Sequence, residues 1–259
     1  MKIAFTIILN GKIHLLHNNY YKTILEYFDY WVVVEGASKN TGSTSWCKPI
    51  SCQHQNNGHS VDGTVEFLYE LKGQYKNIIP IFSEGLWCNK DSQVNTAIAR
   101  IKEITKECTL WEIDADEQWK PEQWNHAESI LKEENAKTGC FLCNHYVGKN
   151  LIAVGEWGEG RKLPYRRLWH WKDEFFESHE PPRLSGGNGL GILIPIKFNH
   201  YSLYFDKDVQ FKEEFYNYTG LYQRWKDLQN MKEFPQHISK LLGTDTHWGH
   251  TNTLIIKKE

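Results

Sequence analysis

A chain of 259 residues, 40% hydrophobic and 24% charged, holds enough apolar material for one large domain or two small ones and too much for a disordered segment. Thirty basic residues against 32 acidic ones leave a formal net charge of −2, which excludes a general attraction to nucleic acid or to an acidic membrane. Any anionic ligand must be met by local cations or by a metal. The opening MKIAFTIILNG carries an apolar run too short for a signal-peptide core or a bilayer span, so the reading is a cytoplasmic chain with no membrane span and no nucleic-acid partner.

Four near-continuous apolar runs, at 2–9, 30–34, 77–82 and 108–113, read as strands of a parallel sheet covered on both faces. Between them lie helical periodicities. Residues 13–28 repeat Leu16, Tyr20, Ile24 and Phe28, and 62–72 place Val65, Leu68 and Leu71 on one face. Residues 91–106 repeat Val94, Ala97, Ile98, Ile101 and Ile104 behind a cap at Asp91 or Ser92, and 121–131 start on a proline suited to a first helical turn. The alternation of strand and helix predicts an α/β fold with a mostly parallel sheet, whose ligands gather outside the carboxyl ends of the strands. Asn10, Glu35, Ser83, Glu84 and the Asp114-Ala115-Asp116-Glu117 run all follow such ends.

Beyond residue 138 the pattern turns to strand-like segments at 139–147, 151–157, 165–171 and 192–205, a smaller mixed β extension. The loop HEPPRLSGGNGLG at 179–191 is marked by its prolines and glycines, and long loops of this kind beside a pocket are often lids. A charged, helical C-terminal tail follows at 207–232. No linker or repeat divides the chain, so it reads as one domain: 1–117 as the ligand-binding half, 118–205 as an acceptor-side half and 206–259 as the tail.

Cys140 and Cys143 resemble a CxxC, but on a strand their odd spacing sends the side chains to opposite faces, against a shared metal. Cys47, Cys52, His54 and His59 share a polar loop, where an ordinary loop role outweighs metal binding. The eleven tryptophans, thirteen tyrosines and twelve phenylalanines belong mostly to the core, although flat rings also suit sugars and bases.

The stretch LWEIDADEQW at 110–119 packs four acidic residues behind an apolar run. Alternation at a strand end puts Asp114 and Asp116 on one side with the small Ala115 between them. With no basic residue nearby in sequence, the pair points to a bound cation. Oxygen donors suit Mg²⁺ or Mn²⁺, which usually complete their shells with water and phosphate. Helix capping explains one acid of the run but not all of it.

That stretch resembles the DxD motif of GT-A glycosyltransferases, which hold a nucleotide-sugar diphosphate through a divalent metal. VVVEGASKNTGST (32–44) looks like the family's second-strand segment, with Glu35 at the acidic position that contacts the nucleoside, where aspartate is more usual. WCNKDSQVNTAIAR (87–100) is similar to the segment that opens the next helix beside the nucleotide, matched loosely by Lys90 and Asp91. YRRLWHWKDEFFESHEPPRL (165–184) resembles a stretch of bacterial family 2 sugar transferases, with Arg167, His179 and Glu180 on its polar positions. FNHYSLY (198–204) looks like the late segment whose histidine, here His200, often completes the metal shell.

The resemblance implies a GT-A type, Rossmann-like fold and a metal-dependent hexosyltransferase, inverting at the anomeric centre, that moves a sugar from a UDP- or GDP-sugar to a hydroxyl of a carbohydrate or glycoconjugate. It implies Mn²⁺ or Mg²⁺ on Asp114, Asp116 and His200. Asn10, Glu35, Lys90, Asp91, Asp114 and Arg167 would contact the nucleotide-sugar, and Glu180 with His179 would serve the chemistry, with Glu117 as an alternative base. Two other classes compete. A sugar-phosphate nucleotidyltransferase would carry a glycine-rich basic run after the first strand, where ILNGKIHLL has one glycine. A non-catalytic carbohydrate-binding protein has no use for an acidic run at a buried strand end.

Overall fold

A computed structural model describes residues 1–243 and 252–258. In chain order the elements are β1 (Lys2–Ile8), α1 (Lys12–Leu16), α2 (Tyr20–Tyr27), β2 (Tyr30–Glu35), α3 (Thr64–Gln74), β3 (Ile78–Phe82), α4 (Lys90–Ile104) and β4 (Glu107–Glu112). There follow β5 (Glu117–Gln118), α5 (Pro121–Glu133), β6 (Thr138–Tyr146), β7 (Leu151–Gly155), β8 (Tyr165–Lys172), β9 (Phe176–Ser178), β10 (Arg183–Leu184) and β11 (Gly191–His200). The remainder holds α6 (Asp206–Phe215), α7 (Leu221–Asn230), β12 (Gln236–His237), α8 (Ser239–Leu242) and β13 (Thr253–Lys257).

These residues form two compact units that are interleaved in sequence. The first comprises 1–115, 120–140 and 166–194, and the second 116–119, 141–165 and 195–259. No single cut at residue 117 or 205 separates them.

In the first unit the strands run β3-β2-β1-β4-β8. The pairs β1 with β2, β2 with β3 and β1 with β4 are parallel, and β8 lies antiparallel to β4. This is the predicted mixed α/β sheet, and its four apolar runs supply the parallel strands. Phe5, Val32 and Val34 pack against Val94, Ile98 and Ile101 of α4 together with Trp169 and Phe176. Trp31, fully buried, places its indole N–H 2.9 Å from Thr6 Oγ1, so the largest ring of β2 enters the core with its polar atom satisfied.

Two sequence expectations shift for local reasons. The helix expected over 13–28 breaks at Asn18 and Asn19, which adopt positive φ of 57° and 55°, a region that asparagine tolerates better than most residues. Helix α4 is capped by Asn89 rather than by Asp91 or Ser92. Asn89 Oδ1 accepts from the Ser92 amide at 2.7 Å, and Ser92 Oγ accepts from the Asn89 amide at 3.2 Å, a reciprocal capping box. The Asp91 carboxylate is thereby left for other partners.

In the second unit β12, β13 and β7 are joined in antiparallel fashion, β6 pairs with β7, and β11 pairs with β6 and with the two-residue β5. Its core gathers Val147, Leu203, Val209, Leu221, Trp225, Leu228 and Ile255. The predicted tail helix is divided into α6 and α7 by a turn in which Asn217 and Gly220 take φ of 58° and 78°. The tail also contributes β12 and β13, so it is not wholly helical. The part of the predicted tail at 244–251 and 259 lies outside the described residues. Among the described residues no helix is long and apolar enough to cross a membrane.

Candidate active site

In the first unit a chain of polar contacts starts at α4 and ends just beyond β4. Asp91 accepts from the Ser43 amide at 3.1 Å, from the Ser43 hydroxyl at 2.5 Å and from the His179 amide at 2.8 Å. Burial alone would raise its pKa, but these donors hold it below the ordinary carboxylate value. Asp91 therefore pins the loop that carries His179 and Glu180. The Glu180 amide in turn donates to Ser43 Oγ at 3.3 Å.

His179 Nδ1 lies 3.3 Å from Glu112 Oε1, and Glu112 Oε2 lies 3.8 Å from an Arg167 Nη1. Arg167 Nη2 closes the chain on Asp114 Oδ2 at 2.8 Å. Glu112 is fully buried at the end of β4. Burial would push its pKa up, yet the Arg167 charge and His179 outweigh that and lower it. His179 is pulled down by burial and raised on balance by the Glu112 carboxylate. Lys90 acts on both Glu112 and His179 electrostatically, which places its charge in the same group.

Glu180 is exposed as a residue, but its carboxyl is crowded by protein atoms, and the resulting desolvation raises its pKa. His179 and Arg167 oppose the rise, whereas Glu112 and Asp114 add to it. A carboxyl shifted toward neutrality is suited to exchanging protons near the operating pH.

Glu35 stands at the carboxyl end of β2 but is wholly buried, with Oε2 2.9 Å from His59 Nδ1 and Oε1 accepting from the Ser60 amide at 2.8 Å. Expected from the sequence to contact a nucleoside, it has no exposed surface here, and both oxygens tether the 54–61 loop. Asn10 holds the same loop. Its Nδ2 donates to the His54 carbonyl at 2.6 Å, and its Oδ1 accepts from the Val61 amide at 2.8 Å. Close approach of Gly58 to Gly85 completes the arrangement. A Cβ at Gly58, where φ is +88°, would lie 2.4 Å from the Gly85 backbone.

The second unit contains Asp116. Its Oδ2 is 3.5 Å from Lys212 Nζ and 3.7 Å from His200 Nε2. The sequence placed no cation beside the two aspartates, yet the fold supplies one to each from far along the chain: Arg167 to Asp114, and Lys212 to Asp116. Glu117, read as an alternative base, is completely buried in β5.

His200 also approaches Cys143 and His145, and one donor atom from each of the three lies within 4.8 Å of the others. Cys143 and His145 as a pair escaped the sequence reading, which weighed Cys143 only with Cys140 and set that pair aside. The overlooked signal was the C-x-H spacing, which puts both side chains on one face of a strand. Cys47, Cys52, His54 and His59 form no such group among the described residues.

No family model matches the chain, and no curated protein matches it in sequence. Among solved structures, the 1–349 fragment of S. aureus TarS aligns over 86% of this chain and 69% of its own, with a TM-score of 0.48 and 10% identity. The same fragment in complex with UDP aligns over 82% of this chain and 64% of its own, under two thirds, with a TM-score of 0.46 and 11% identity. A 4-diphosphocytidyl-2C-methyl-D-erythritol synthase aligns over 65% of this chain and 74% of its own, with a TM-score of 0.34 and 13% identity. All three are distant likenesses.

Proposed function

We propose that the chain is a nucleotide-sugar glycosyltransferase that passes a sugar from a UDP- or GDP-sugar to a hydroxyl of a carbohydrate or glycoconjugate, with inversion. The observation that carries the reading is the polar chain from Asp91 through His179, Glu112 and Arg167 to Asp114, set at the carboxyl end of β4 in the mixed sheet. Ligands of open α/β sheets bind at such ends.

The donor chemistry of Asp114 and Asp116, separated only by Ala115, fits Mn²⁺ or Mg²⁺. Both offer hard carboxylate oxygens, and each already stabilises a protein cation. When bound, such an ion supplies Lewis-acid neutralisation of charge on a departing nucleoside diphosphate. We assign His200 to the positioning of Asp116 rather than to direct ligation of that ion, since its Nε2 faces the carboxylate at 3.7 Å.

Arg167 and Lys90 offer positive charge to the donor phosphates. Asn10 and Glu35 shape the nucleoside side through the 54–61 loop. Asp91 fixes the loop that presents Glu180, and a carboxylate oxygen of Glu180 takes the proton of the acceptor hydroxyl as the new bond forms. His179 precedes that residue, and the Glu112 carboxylate favours its protonated form.

The test is release of nucleoside diphosphate from a panel of UDP- and GDP-sugars with Mn²⁺ and a mixed oligosaccharide acceptor pool. Turnover of one donor that disappears in Asp114→Asn supports the reading. Turnover undiminished in that variant overturns the role of Asp114, and silence of the whole panel overturns the transferase assignment.

A further inference from the structure

Within the second unit Cys143 and His145 lie two residues apart on β6, and β11, which pairs with β6, ends on His200. One donor atom from each of the three lies within 4.8 Å of the others. Each histidine turns one nitrogen toward a polar side chain. His145 Nε2 is 2.8 Å from Ser202 Oγ, and His200 Nε2 is 3.7 Å from Asp116 Oδ2. In both rings Nδ1 is buried and makes no hydrogen bond. His145 is itself only 4% exposed.

Burying a polar nitrogen without a partner is costly, and here two such nitrogens accompany a buried thiol. A metal-bound imidazole usually directs its second nitrogen to a hydroxyl, carboxylate or carbonyl, which fixes the ring and its tautomer. Ser202 and Asp116 fill those positions. We propose that Cys143, His145 and His200 form a site for one zinc-class ion, bound through Cys143 Sγ and the two Nδ1 atoms, with the fourth position open to water or an exogenous ligand.

The donor set decides the metal. One thiolate and two imidazoles suit Zn²⁺ and its tetrahedral substitutes, whereas Mg²⁺ and Mn²⁺ prefer carboxylate and carbonyl oxygens. Bond lengths of about 2.3 Å to sulfur and about 2.0 Å to nitrogen require donors roughly 3–4 Å apart, so the trio closes by small side-chain rotations. On binding, the thiol proton passes to solvent, and the contact of Cys143 Sγ with the Gly158 carbonyl, 3.5 Å long, is released. Burial disfavours the charged form of His145. Trp157 stacks on His145 at 4.5 Å, and Tyr165 meets His200 edge-on at 5.5 Å, giving the site aromatic walls.

The inference does not depend on the transferase reading, and Co²⁺ separates the two because its spectrum reports on sulfur ligation without any turnover. Metal-free full-length protein is titrated with Co²⁺. The expected result is one equivalent bound with the intense visible bands of a tetrahedral ion and a near-ultraviolet thiolate-to-metal band. The thiolate band should vanish in Cys143→Ser and persist in Cys140→Ser, whose side chain occupies the opposite strand face. Ser202→Ala should weaken Zn²⁺ binding by about tenfold, the usual loss when an outer-shell partner is removed. A wild-type spectrum of weak octahedral bands without sulfur ligation overturns the proposal with no appeal to any variant. So does a thiolate band that survives in a folded Cys143→Ser.

Discussion

Arg167 Nη2 stands 2.8 Å from Asp114 Oδ2, and the same guanidinium lies 3.8 Å from the buried Glu112. One largely buried cation thus serves two carboxylates at the end of β4. Replacing it with methionine removes the guanidinium from both carboxylates and leaves the buried Glu112 to His179 and the charge of Lys90. Breaking one side of a buried pair costs on the order of 3 kcal/mol, and we expect Arg167→Met to lose stability of that order in urea denaturation. A loss within about 0.5 kcal/mol, typical of an ordinary surface change, would show that the arginine does not hold this network.

The pair formed by Glu112 and His179 predicts a pH signature. His179 titrates above its ordinary 6.5, so its contribution is complete below that value and is lost as pH rises through the raised pKa. Glu112 titrates below its ordinary 4.5, so its contribution is present above that value and is lost as pH falls through the lowered pKa. The pair is therefore most stabilising between 4.5 and 6.5. The Tm difference between wild type and His179→Asn should be greatest in that interval and shrink on the alkaline side. A difference independent of pH would remove the ion pair from the account.

Glu180→Gln tests the proton acceptor proposed above. General-base catalysis contributes about 10²–10⁴-fold, so kcat should fall within that range while donor affinity changes little. The pH–rate profile should also lose its acid limb, because the group whose pKa burial raises has been removed. A variant that lowers donor affinity with kcat intact would assign Glu180 to binding.

Lys212 pairs with Asp116 at 3.5 Å. In Lys212→Met the carboxylate is released from that ion pair, and Mn²⁺ should bind more tightly in a calorimetric titration. Unchanged or weaker Mn²⁺ binding would separate Asp116 from the metal.

The sheet was legible because its strands are buried on both faces and read as unbroken apolar runs. Phe5, Val32 and Leu110 are all fully buried. The breaks at Asn18 and Asn217 were not, because a side chain that tolerates positive φ interrupts a helix without disturbing its apolar period. Strand β13 was missed because only alternate residues are buried within a charged tail. At the candidate site, Asp114, Arg167 and His179, singled out by residue type and motif order, are brought into one network with Glu112. Pairing 53 residues apart, as between Asp114 and Arg167, leaves no periodic trace in the sequence. The same is true of Lys212 beside Asp116, which is why the aspartates looked unpaired. Glu35 stands at a strand end as expected, while the inward turn of its carboxylate to the loop could not be read from its position.

The central claim is that the carboxylates flanking Ala115 recruit a divalent ion that recruits a nucleotide-sugar. Isothermal titration of UDP- and GDP-sugars into the protein, with Mn²⁺ and after chelation, tests it most directly. The account predicts that one of the donors binds only with Mn²⁺, and that Asp116→Ala abolishes this binding. Equal binding with and without the ion, or a donor still bound in Mn²⁺ by a folded Asp116→Ala, would contradict it.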